Sequence, residues 1–98
     1  MKTSKMTINQ IKNKVLPVLR EESVKKASVF GSYVTGEARE DSDVDILVEL
    51  PNNKSLIDFI NLQLKLEKSL GKKVDLVEFS SIKPSLKAQI LNNKVQIL

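Results

Sequence analysis

Asp43 and Asp45 stand two residues apart at the head of the apolar run Ile46-Leu47-Val48. A gap of ten residues separates Asp43 from the pair Gly31-Ser32, which follows another short apolar run, Ala27-Ser28-Val29-Phe30. Side chains two apart on a strand point to the same face, about 6.5–7 Å from each other along it. Asp43 and Asp45 are therefore expected to project together, with Val44, Ile46 and Val48 in the other layer. Two neighbouring carboxylates repel, and burial worsens the conflict. A divalent cation removes it, and magnesium favours one or two carboxylates together with water and phosphate oxygens. Two such ions about 3.5–4 Å apart can serve the attacking and the leaving oxygen of a phosphoryl or nucleotidyl transfer. Gly31 allows close backbone approach and unusual dihedrals. N–H groups at a helix start, with the Ser32 hydroxyl, would offer a triphosphate an anion site. Together these residues suggest a metal-dependent reaction on a nucleoside triphosphate.

Asp75 is the best candidate for a third carboxylate. It interrupts the run Val74-Asp75-Leu76-Val77, and a charge inside a core strand is costly unless paired or bound to metal. It would bind a second ion or act as general base on an attacking hydroxyl. The competing reading leaves Asp75 facing solvent on a half-exposed sheet. For the triplet Asp43-Val44-Asp45 the competing reading is a polar loop, with Asp41 and Asp43 as loop acids and Ser42 capping a turn. Three similar motifs fail. Gly31 and Gly36 have P-loop spacing, but Glu37-Ala38 follows where Lys-Ser/Thr is required. Asp41 to Asp45 begins like a calcium loop, yet Ile46 holds the place of its glycine and Asn52 that of its glutamate. The glycine spacing does not fit the dinucleotide fingerprint.

The absence of His and Cys excludes a usual zinc site and every Cys–His or Ser–His–Asp arrangement. Any metal must then be a hard ion held by oxygen. A chain without cysteine has no disulfide framework, which makes an intracellular, cytoplasmic location the default expectation. The basic start Met1 to Lys5 is not followed by the apolar stretch of a signal peptide, and no apolar run reaches the roughly 20 residues of a membrane span. Net charge is +4, from 16 basic and 12 acidic residues. The lysines, among them Lys12, Lys14, Lys65, Lys68, Lys83 and Lys87, are spread along expected helices rather than gathered on one face. A direct nucleic-acid ligand is therefore not expected.

These 98 residues should form a single domain, residues 1–98. Thr7 with Gln10 fits a capping box, and Ile8, Ile11, Val15, Leu16 and Leu19 follow at helical spacing; Pro17 is expected to kink or interrupt this helix. Strands are expected at Ala27 to Phe30, Val44 to Leu50, Lys73 to Glu78 and Val95 to Leu98. A short helix should run from Gly31-Ser32 to a cap at Gly36. Ser55 with Asp58 would cap a helix whose apolar face reads Leu56, Ile57, Phe59, Ile60, Leu62, Leu64, Leu66 and Leu70, ending at Gly71. Pro84 suits the first turn of a last helix carrying Leu86, Ile90 and Leu91. Strands alternating with helices give an α/β or α+β sheet with helices packed on it.

The residues Gly31, Ser32, the ten-residue gap, Asp43, Asp45 and the later Val74-Asp75-Leu76-Val77 resemble the minimal nucleotidyltransferases of the polymerase-β-like superfamily. The resemblance covers about residues 8 to 98. It implies a mixed sheet with helices on one face and the active site on the other. It implies that Asp43, Asp45 and Asp75 bind two magnesium ions, with manganese as the alternative, and that Gly31 and Ser32 hold the triphosphate. The implied reaction is transfer of AMP from ATP to a hydroxyl with release of pyrophosphate. Stand-alone members of this group are commonly antitoxins paired with a helical HEPN ribonuclease toxin, which they neutralise by adenylylating a tyrosine. Where the family often carries Ala-Arg before the second glycine, this chain has Val34-Thr35, and Lys25, Lys26 or Arg39 are the cations left to substitute. The alternative to catalysis is a binding module of the same fold that masks its partner stoichiometrically. Transfer to a small molecule or an RNA end would need an acceptor-binding domain from another chain. Oligomeric state stays open.

Overall fold

In the computed structural model, which describes residues 6–98, the Thr7 hydroxyl accepts from Gln10 N–H at 3.1 Å and the Gln10 side chain accepts from Thr7 N–H at 2.9 Å. This reciprocal capping box satisfies two orphan donors and starts helix α1 (Ile8–Glu21). The basic run Met1 to Lys5 lies outside the described residues. Helix α1 buries Ile11, Val15 and Leu19. The expected interruption at Pro17 does not occur, because the helix continues unbroken to Glu21. Pro17 is exposed and so is Asn13, the residue whose carbonyl loses its i→i−4 partner. Water can meet that carbonyl, so the missing bond falls where it is least costly.

Strand β1 (Lys26–Phe30) leads through Gly31 into the single-turn helix α2 (Ser32–Thr35), closed by Gly36 in the left-handed conformation at φ 87°. A polar loop returns the chain to strand β2 (Val44–Glu49). Helix α3 (Leu56–Leu70) begins at a second capping box, Ser55 with Asp58, and ends at Gly71, φ 68°. Strand β3 (Val74–Glu78), a 3-10 turn (Phe79–Ser81), helix α4 (Pro84–Asn92) and strand β4 (Lys94–Gln96) complete the chain. The final strand is shorter and earlier than Val95 to Leu98, although Leu98 and Ile97 still hydrogen-bond to Ala27.

The sheet is mixed, in the order β3-β2-β1-β4. Strand β1 is antiparallel to β2 and β4, whereas β2 and β3 run parallel. Helices α1 and α3 cover one face, where Ala27, Val29, Val44, Ile46, Val48, Val74 and Leu76 meet Ile11, Val15, Leu19, Leu62, Leu66 and Leu70 in one core. Alternation places Phe30, Asp45 and Asp75 on the opposite, open face. The registers Phe30↔Asp45 and Asp45↔Asp75 align them in one row across three strands. Among the described residues, no helix is long and apolar enough to cross a membrane.

The apolar face assigned to α3 from sequence is too broad. Leu62, Leu66 and Leu70 are buried, but Leu56 is 73% exposed, Ile57 69%, Ile60 46% and Leu64 57%. At 100° per residue Ile57 and Leu64 stand on the far side of the helix from the buried stripe, while Leu56 and Ile60 flank it. Helix α3 therefore presents apolar side chains both inward and outward.

Candidate active site

Gly31 and Asp45 are locked together. Gly31 has φ 76°, a conformation that residues with a side chain rarely adopt. A Cβ added there would lie 2.1 Å from the Asp45 Oδ2 atom. The carboxyl thus occupies the space that any side chain at position 31 would fill. Downstream, Val34 and Thr35 N–H groups donate to the Gly31 carbonyl at 2.9 and 3.1 Å, which closes the one turn of α2. A helix of four residues carries little macrodipole. What it can offer an anion is individual N–H groups and the Ser32 hydroxyl.

Asp45 is half-buried, while Asp43 and Asp75 are exposed. Burial, the charge of Asp75 and a carboxyl–carboxyl hydrogen bond with it, and the charge of Asp43 push the Asp45 pKa from 3.8 to about 6; the Ser32 backbone N–H pulls the other way. Asp45 therefore sits at the centre of the three acids and feels the charge of both neighbours. Among the described residues, no three acidic side chains are already drawn to metal-ligating distance. Asp75 lies between buried Val74 and Leu76 but points to the open face, so the desolvated charge in this site is Asp45. The donor set consists of oxygens, one of them half-buried and crowded by like charge, and this fits a hard divalent ion.

The cations around the acids differ from those anticipated. Lys26 pairs with Glu49 in the sheet register while Phe30 pairs with Asp45, which separates Lys26 from the acids by about 13 Å of strand. Lys25 forms an ion pair with Glu49 at 3.6 Å at that same distant end. Neither can replace an arginine at the site. Arg39 lies in the loop leading to Asp43, where its N–H donates to Ser42 Oγ at 2.8 Å and Ser42 N–H returns to its carbonyl at 3.0 Å. This is the Ser42-capped turn read from sequence. Lys72 and Lys73 were missed. They line a cleft with Asp43 and Glu40, the Lys72 ammonium donates to the Glu40 carbonyl, and Val44 N–H donates to the Lys73 carbonyl at 3.0 Å. Their place next to Asp43 comes from the parallel β2–β3 pairing, which no local pattern discloses. Thr35 donates its hydroxyl to Glu37 at 2.9 Å.

The nucleotidyltransferase domain family model matches residues 12–97. The chain belongs to this family. The nucleotidyltransferase is 50% identical over 80 residues to the protein adenylyltransferase MntA of Thermococcus cleftensis, covering 81% of each chain. Its fold matches a crystal structure of a toxin–antitoxin with AMP-PNP, with a TM-score of 0.78 and 30% identity over 89% of this chain and 72% of the other. It also matches the Shewanella oneidensis complex of a tri-AMPylated HEPN toxin with an MNT antitoxin, with a TM-score of 0.72 and 27% identity over 92% and 71%. The mixed sheet and open face expected of a minimal nucleotidyltransferase are thus the observed fold. Nucleotidyltransferases of this family typically use divalent metals.

Proposed function

We propose that this nucleotidyltransferase moves AMP from ATP to a hydroxyl on a HEPN-type toxin, a tyrosine by preference, and so acts as a cytoplasmic antitoxin. The observation that carries the proposal is the row Phe30–Asp45–Asp75 with Gly31 closed onto the Asp45 carboxyl. It sets a crowded acid pair beside a tight backbone turn and the Ser32 hydroxyl. Asp43 and Asp45 would hold a divalent ion, magnesium or manganese, and Asp75 would complete a site for a second. Bound there, the ions would neutralise the triphosphate and lower the pKa of the attacking hydroxyl. The chain's own residues position the reactants. Ser32 and the N–H groups beside it receive phosphate oxygens, and Gly31 keeps the backbone close. Asp75, exposed beside Asp45, accepts the proton of the incoming hydroxyl. That oxygen bonds to the α-phosphorus as the bond to pyrophosphate breaks, without a covalent enzyme intermediate. Relatives named as protein adenylyltransferase and the AMPylated-toxin complex support this acceptor class.

A second reading is stoichiometric masking of the toxin, and the outward apolar side chains of α3 favour it. Neutralisation assays with the Asp43→Asn, Asp45→Asn double variant separate the two. Catalysis requires that the variant fail to protect. Masking requires that it protect as well as the parent protein.

A further inference from the structure

Helix α4 buries none of its residues, yet it presents apolar side chains in a fixed pattern. Leu86, Gln89, Ile90 and Asn93 follow i, i+3, i+4, i+7 spacing, so they share one face. That face does not close on the core. Together with Phe30, Gly31 and Thr35 it bounds a cavity of about 240 Å³. The cavity opens beside the glycine whose other side is filled by Asp45. It is smaller than the roughly 300–1,000 Å³ of a site that buries a whole drug-sized ligand, and suits one planar base.

We propose that this cavity receives the base of the nucleoside triphosphate whose phosphates lie at Gly31-Ser32. The inference rests on the nucleotidyl-transfer reading above and adds a base subsite to it. Phe30, Leu86 and Ile90 supply apolar surface for the ring faces, as stacking sites for bases do. Two side-chain amides supply the edge. Asn93 Nδ2 donates to the Gln89 backbone carbonyl at 3.0 Å, which orients that amide and leaves its oxygen as an acceptor. An acceptor beside the cavity favours a base that bears an exocyclic amino group, as adenine does, over one that presents a carbonyl there, as guanine does. The same placement gives α4 a purpose that its lack of buried residues leaves otherwise unexplained.

Calorimetric titration of the whole protein with ATP and, separately, with inorganic tripolyphosphate, both with magnesium, tests the proposal. Gln89→Trp fills the cavity from an exposed position, and Ile90→Ala strips part of its apolar wall. Gln89→Trp should weaken ATP about tenfold or more, the scale of one lost base contact, and leave tripolyphosphate within about twofold. Asn93→Leu should narrow the preference for ATP over GTP. Unchanged ATP binding in both cavity variants would overturn the proposal. So would an equal loss of ATP and tripolyphosphate, which would tie the cavity to the phosphates or to folding. Failure of the wild-type protein to bind either ligand would remove the nucleotidyl-transfer reading itself, and the base cavity with it.

Discussion

At residue scale the site depends on one glycine and one aspartate sharing a space. Gly31→Ala places a methyl group 2.1 Å from Asp45 Oδ2 at a φ of 76°. The backbone conformation alone costs about 1–3 kcal/mol, and the displaced carboxyl should lower AMP transfer about 100-fold. Thermal melts and transfer rates on the same variant check both. Asp45 also gives the metal-free protein a distinctive pH response. Its folded pKa of about 6 lies above its ordinary value of 3.8. The folded state therefore holds this proton more tightly than the unfolded state. The resulting stabilisation is fully present below pH 4 and is lost as pH rises through about 6. Asp45→Asn should melt higher than wild type at pH 7.5 without metal, and the advantage should vanish near pH 4. Glu78 behaves in the opposite way. Burial would raise its pKa, but hydrogen bonds from the Ser80 hydroxyl and from the Leu50 and Ser80 N–H groups outweigh it and lower the pKa. Its contribution is lost as pH falls. That Asp45 and Asp75 interrupt apolar strands is legible in the sequence, and the sheet register sets them side by side. Which acid would be desolvated is not legible there, since that depends on Gly31 closing over Asp45 and on the pairing of Asp45 with Asp75.

At the scale of elements, local signals were read well wherever they are local. Both capping boxes, the Gly36 and Gly71 caps and the Pro84 helix start stand where the residues placed them. The misreadings concern what lies next to an element. Pro17 is tolerated because its face of α1 meets water. Helix α3 is apolar on two sides, and sequence cannot tell which leucines face the sheet. The distinction is measurable. Leu66, fully buried, should cost about 2–5 kcal/mol on truncation to alanine. Ile57→Ser and Leu64→Ser should stay within about 0.5 kcal/mol of wild type in urea denaturation. Tyr33 in α2 is buried with its hydroxyl unpartnered. Tyr33→Phe should therefore be neutral or slightly stabilising, since no hydrogen bond is lost; comparative urea midpoints would show it.

At the scale of the whole molecule, the sheet order β3-β2-β1-β4 brings residues far apart in sequence to one edge of the open face. Antiparallel β1–β2 pairing sets Gly31 against Asp45, and parallel β2–β3 pairing adds Asp75 and the Lys72-Lys73 turn. The alternation of strands and helices pointed to this class of fold. The register that makes Phe30, Asp45 and Asp75 one row is a tertiary fact, and so is the position of α4 beside Gly31. In the function proposed above, this row drives nucleotidyl transfer to a partner protein. A decisive experiment incubates the protein with magnesium, α-labelled ATP and the HEPN-type toxin proposed as its partner, and follows label on that toxin. Labelled AMP is expected on a toxin tyrosine with release of pyrophosphate, and the Asp43→Asn, Asp45→Asn double variant should abolish it. A toxin that stays unlabelled with all three acids intact, and is neutralised equally by the double variant, would contradict the proposed function.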